Sequence, residues 1–189
     1  MNTLITFIEN TTDRVMAEAM LSLMEKESID ELSPSRIIEA SGISRSTFYR
    51  RYKDKYDLLN QIYQWLLDGT MMKVPGGSSF KNAFYILYET LRAYPVFFRN
   101  ALSSCEPNAL RWYILDRIYE MYEQILRAEG IDMSRPYYQL LITGFLNGAM
   151  ELTCRWAQNG MKEDIDLLYR INFDLMPNEI QRIMALGYL

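Results

Sequence analysis

The sequence contains no histidine and only two cysteines. Without histidine there is no Ser-His-Asp or Cys-His nucleophile pair and no histidine metal site. The commonest catalytic base is missing too, so an enzyme would have to run on carboxylates, tyrosine or lysine. Glu89, Glu123, Glu151 and Lys162 are available in principle, but no pair of them has a recognised spacing. Acidic side chains on amphipathic helices are generally solvated, so the expectation is a non-enzyme with no metal and no cofactor. Cys105 and Cys154 lie far apart and form no CxxC, which predicts two reduced, buried thiols.

Glycine and proline are scarce, nine and six among 189 residues, which favours helices over a strand-rich fold. The longest uncharged run, Pro136 to Met150, contains Gln139, Thr143 and Asn147. It is shorter than the roughly 20 apolar residues of a spanning helix. The opening MNTLITFIENTT has no Lys or Arg before its apolar part and no small-residue cleavage pattern, so it is not read as a signal peptide. A cytoplasmic protein without a membrane partner is expected. The net charge is −4 and the isoelectric point about 5.0, which argues against a sequence-blind coat on nucleic acid. Any DNA affinity has to come from a local patch.

What is present is apolar and periodic. Hydrophobic residues make up 49% of the chain, enough to bury a core and to exclude disorder. Met16, Ala19, Met20, Leu23 and Met24 recur at helical spacing and predict a first helix from about Thr11 to Lys26. A long helix is expected from Asp54 to about Met72, with Leu58, Leu59, Ile62, Trp65 and Leu66 as its stripe. Lys73 to Ser79, KVPGGSS, is the clearest break and the best domain boundary read from composition. Helical periodicity resumes around Phe84 to Leu91. It continues through PVFFRNAL, Leu110 to Ile125, Ser134 to Gln158, Ile165 to Leu175 and a short end from Asn178. The fold class is therefore all-α.

One segment departs from the acidic average. Ser44 to Tyr56 carries Arg45, Arg50, Arg51, Lys53 and Lys55 against Asp54, with Phe48, Tyr49, Tyr52 and Tyr56 between them. Upstream, Ser33 is a natural N-cap, Pro34 suits the first helical position, and Leu32 with Ile37 can form a hydrophobic staple. Gly42 supplies a tight turn and Ser44 caps the next helix. There Phe48 and Tyr52 share a face and are expected to be buried with Ile43, leaving Arg45, Ser46, Thr47, Tyr49 and Arg50 outward. Two short helices joined by a glycine turn, the second presenting such residues, is the layout of a helix-turn-helix. Arg can read guanine, and Ser and Thr are short readers. Tyr and Lys reach phosphates. A basic run by itself is usually a solvated face; the caps, the turn glycine and the buried triplet together favour the DNA-binding reading.

LSPSRIIEASGISRSTFYRRYKDKYDLL, Leu32 to Leu59, resembles the DNA-binding signature of the TetR family of bacterial transcriptional regulators. The Gly-hydrophobe-Ser turn, the Thr-Phe-Tyr core, the following aromatic and the Lys opening a long helix carry the likeness. TGFLNGAMELTCRWAQNGM resembles the short regulatory domains of the dihydroxyacetone-kinase-regulator branch. The resemblance implies an N-terminal three-helix helix-turn-helix domain, residues 1–55, joined by a long fourth helix to a helical regulatory domain, residues 56–189. It implies phosphate contacts from Ser33, Tyr49 and Lys55, and base-edge or phosphate contacts from Arg45, Ser46 and Thr47, with Ser44 and Arg50 beside them. Arg51 stands where histidine is common. Ser28 replaces the glycine usual after the first helix. Glu9 and the lack of a basic residue before Arg14 predict that the N-terminal arm does not read the minor groove.

For the regulatory half, the resemblance implies a homodimer and a small-molecule effector. Gly144 and Gly148, flanked by Leu141, Phe145 and Leu152, with Leu168, Ile171 and Leu175 on the next helix, suggest a four-helix dimer contact. Part of each stripe has to be intramolecular core. Tyr88, Phe97, Phe98, Trp112, Tyr113, Met121, Tyr122, Tyr138, Asn147 and Met150 are candidate pocket residues, although each taken singly is more often packing. The expected function is a regulator, by family a repressor, that leaves a palindromic double-stranded operator when a largely apolar effector binds. The alternative is a regulator or coactivator of the same type controlled by a protein partner.

Overall fold

Local signals start and stop most of the helices. Asn10 accepts the backbone N–H groups of Thr12 and Asp13 at 3.0 and 3.3 Å and opens α1 (Thr11–Met24). Ser33 and Pro34 open α2 (Pro34–Ser41), which Gly42 ends at φ 67°. Ser44 opens α3 (Arg45–Arg51) by accepting the Thr47 N–H at 3.2 Å. The computed structural model, which describes residues 8–71 and 79–184, continues with α4 (Lys55–Met71), α5 (Phe80–Ala93), α6 (Pro95–Ala101) and α7 (Leu110–Ala128). It ends with α8 (Pro136–Gln158), α9 (Ile165–Leu175) and α10 (Asn178–Met184). No strand occurs among the described residues. Most of KVPGGSS, and the start of the N-terminal segment, lie outside the described residues.

The first three helices and the start of α4 close around Met16, Met20, Ile37, Phe48, Leu58 and Leu59, each fully or almost fully buried. Leu32 and Ile37 are buried on either side of the Ser33 cap, as a staple requires. Asp13 lies inside this unit. It accepts two bonds from Arg51 Nη1, at 3.0 and 2.9 Å, and one from the Tyr52 hydroxyl at 2.8 Å. Arg51 is thus committed to holding α1 against α3. Ser28 forms its turn through its side chain, accepting the Glu31 N–H at 3.3 Å and donating to Glu31 Oε2 at 3.0 Å. That reciprocal pair does what a glycine turn does elsewhere.

α4 connects the two halves. It packs on α1 at one end and on α5 and α7 at the other, while α6 packs on both α1 and α8. The apolar core runs without a break from Ile8 to Ile183. The architecture is a three-helix helix-turn-helix domain joined by a long helix to a C-terminal helical bundle. Among the described residues no helix is long and apolar enough to cross a membrane.

Candidate nucleic-acid interface

α3 sits on a floor of aromatic rings. Phe48 is fully buried, edge-on to Tyr49 at 5.2 Å and tilted against Tyr52 at 5.8 Å. This phase turns Arg45, Ser46, Tyr49 and Arg50 to solvent. The Arg45 guanidinium lies 5.2 Å over the Tyr49 ring, so the two side chains share one outward ridge. Ser44 and Thr47 are less free. Ser44 Oγ caps the helix and lies 3.0 Å from Ser46 Oγ and 2.8 Å from Thr47 Oγ1. Ser33 Oγ caps α2, accepting the Arg36 N–H at 3.4 Å. Lys55 starts α4; its ammonium donates to the Asp30 carbonyl at 2.7 Å and lies 5.0 Å over the Tyr56 ring. Tyr56 in turn donates to Asp30 Oδ1 at 2.8 Å. Burial, with the bond to Asp30 acting against that of Ser104, pushes the Tyr56 phenol up to about 12, so it stays a neutral donor.

Further along α4 an apolar cavity of about 340 Å³ opens between α4, α5, α7, α8 and α9. Of the candidate pocket residues, Tyr88, Met121, Tyr122 and Met150 line it. The others lie elsewhere, because helical phase sends them to different neighbours. Phe98 is fully buried against Phe97 and Tyr63, at 4.9 and 6.3 Å. Trp112 is 37% exposed under the Arg111 guanidinium. Tyr113 donates to Gln64 Oε1 at 3.2 Å, Tyr138 packs against Tyr137, and Asn147 is exposed and bonded to the Thr143 carbonyl. Residues that the sequence reading passed over complete the wall, among them Tyr63, Phe84, Thr153 and Asn172. Only their helical spacing pointed to them.

The dimer candidates divide as well. Gly144 and Gly148 are exposed, and a Cβ on either would meet nothing within 4 Å. Leu141, Leu152 and Ile171 are partly covered and Leu175 is 51% exposed. Phe145, however, lines the cavity, and Leu168 is buried in the monomer. Tyr137, Leu140 and Leu167, which the sequence reading did not single out, are exposed. Cys105 is exposed in the α6–α7 loop, against the expectation of two buried thiols; Cys154 is buried. Glu123 and Glu151 pair with Arg127 and Arg155 on their own helices, at 2.7 and 2.8 Å. Among the described residues no group of three or more His, Cys, Asp or Glu side chains could hold a metal.

The family profile described as bacterial regulatory proteins, tetR family, matches residues 17–62. A second, described as transcriptional regulator C-terminal region, matches residues 78–178. The protein belongs to the TetR family. It is a transcriptional regulator that binds DNA and not an enzyme. Two solved structures share the fold of this TetR-family chain. One is described as dihydroxyacetone kinase operon activator DhaS, with 17% identity, TM-score 0.56, and coverage of 91% of this chain and 97% of that one. The other is fatty acid degradation regulator FadR from Bacillus halodurans, with 15% identity, TM-score 0.55, and coverage of 90% and 97%. No curated protein sequence matches the chain.

Proposed function

We propose that this TetR-family regulator is a cytoplasmic homodimeric repressor that leaves a palindromic operator when a small, largely apolar effector enters the cavity beside α4. One observation carries the reading. α4 is unbroken from Lys55 to Met71, begins beside α3, and supplies Tyr63 and Leu67 to the cavity wall. A ligand that favours one position of α4 thereby favours one placement of α3. It can shift the equilibrium only by as much as it prefers that position.

In this reading residues 1–55 bind DNA and residues 56–189 regulate and dimerise. Arg45 and Ser46 face base edges, with Thr47 and Arg50 beside them. Tyr49, Lys55 and the ends of α2 and α3 at Ser33 and Ser44 face phosphates. The two α3 helices of a dimer sit about 34–36 Å apart or a multiple of it, one turn of DNA. The dimer contact uses the apolar band of α8 and α9 formed by exposed Tyr137, Leu140, Gly144, Gly148, Leu167 and Leu175 and partly covered Ile171. Control by a protein partner would need no cavity, and the cavity therefore favours a small molecule.

Selection of genomic fragments by the purified protein, at stated salt, tests the reading. A recovered palindrome supports it. No enrichment by a folded dimer overturns operator binding by the free protein.

A further inference from the structure

We infer that the effector cavity takes an uncharged apolar molecule bearing one hydrogen-bond donor, a hydroxyl or an N–H, anchored on the side-chain carbonyl of Asn172. The inference rests on the effector reading above and specifies its chemistry.

Tyr63 and Tyr122 bring phenols to the lining, and beside them Tyr88, Thr153 and Asn172 form a polar cluster whose protons can be assigned. Thr153 donates its single hydroxyl proton to the Ala149 carbonyl at 2.9 Å. Its oxygen also lies 2.6 Å from the Tyr88 hydroxyl, so Tyr88 has to be the donor in that pair. Asn172 Nδ2 donates to the Leu168 carbonyl at 2.9 Å. A carbonyl only accepts, which fixes the amide with its nitrogen on that side. The Tyr88 proton is committed to Thr153 and is not available to Asn172. One Asn172 N–H is used in the bond to Leu168, and its Oδ1 accepts from no group among the described residues. Asn172 is 4% exposed and lines the cavity. At Asn172 the wall therefore offers a ligand an acceptor without a donor.

The rest of the wall selects against charge. Phe84 stacks on Tyr88 at 4.1 Å, and Leu87, Leu91, Ile118 and Met150 continue the apolar surface. Burial pushes the Tyr88 phenol up to about 12, so it remains neutral. Among the described residues Arg117 is the one formally charged side chain on the lining; it is 57% exposed and paired with Glu120 at 3.1 Å. A carboxylate would lie against Asn172 Oδ1 without a counter-charge. An ammonium could donate to that oxygen but would have no buried anion to offset its lost hydration. A neutral donor on an apolar body satisfies the site at no such cost.

The test uses the full-length protein and four probes of one chain length: 1-decanol, methyl decyl ether, sodium decanoate and decylamine, by calorimetry. The alcohol should bind about ten-fold tighter than the ether, which cannot donate, and tighter still than either ion. In Asn172→Leu the alcohol and ether should bind equally. Decanoate or decylamine matching the alcohol, or an alcohol-to-ether ratio near one in the wild-type protein, overturns the inference while leaving an effector cavity in place. Since that ratio needs no variant, it holds even if Asn172→Leu folds poorly. Binding of none of the four overturns the effector reading together with the inference.

Discussion

The side-chain carbonyl of Asn100 accepts the backbone N–H of Ile29 at 2.8 Å. Its amide nitrogen donates to the carbonyls of Met24 and Glu27 at 2.8 and 2.7 Å. Met24 is the last residue of α1, so a side chain of α6 occupies the carbonyl end of the first helix of the helix-turn-helix domain. Asn108 in the α6–α7 loop makes a second tie, donating to Asp54 Oδ2 at 3.2 Å just before α4. The two halves of the chain are joined by specific polar contacts as well as by α4.

Asn100→Ala should therefore cost about 1–3 kcal/mol, the range for stranding partly buried backbone groups. Asn100→Asp should cost no less, because a carboxylate would face two carbonyls. Urea midpoints measure both. An unchanged midpoint for Asn100→Ala would show that water replaces the side chain.

Arg45→Ala should relax sequence preference by about 1–3 kcal/mol at one base position. Tyr49→Phe and Lys55→Ala should weaken binding evenly across sequences, with the salt slope falling by about one for the lysine. Fluorescence anisotropy on operator and mutated duplexes separates the two patterns. Three unchanged affinities would mean that α3 is not the reading helix.

Leu140→Glu and Leu175→Glu sit on the exposed band and should give folded monomers by light scattering. Leu168→Glu places a charge in the monomer core and should unfold the chain instead. If the first two remain dimeric, the contact lies elsewhere.

One thiol should react with Ellman's reagent in the native state and a second only on unfolding. Cys105 is exposed and Cys154 buried, and burial pushes the Cys154 thiol up, which keeps it protonated. Cys105→Ser should abolish the fast phase.

Stability should fall as pH rises above 10. Burial raises Tyr88 and Tyr56 from 10.0 to about 12 in the fold, and Tyr52, Tyr63 and Tyr122 are raised as well. Above pH 10 the unfolded chain binds fewer protons than the native one, so the stabilisation present below 10 is lost as pH climbs through 12. Urea melts at pH 9 and 11 should show the decline.

The helix-turn-helix could be read from the chain because its determinants are local. Ser33, Pro34, Gly42 and Ser44 act on backbone within a few residues of themselves, and the burial of Phe48 decides which face of α3 is outward; Tyr52, expected on the same helical face, is instead the extended C-cap residue and is buried from beyond the helix end. The ends of α6, α7 and α9 followed for the same reason, from proline, glycine and periodicity. What covers each apolar face was settled only in three dimensions. Phe145, Leu168 and Leu175 all belong to apolar helical stripes, yet one faces a cavity, one the core and one solvent. Burial has no direction of its own, so a stripe says that something covers it and not what. The same holds for Asn100, Asp13 and Asn172. Each is an ordinary polar residue in the sequence, and its role depends on partners that folding brings from distant segments or from the next turn of a buried helix.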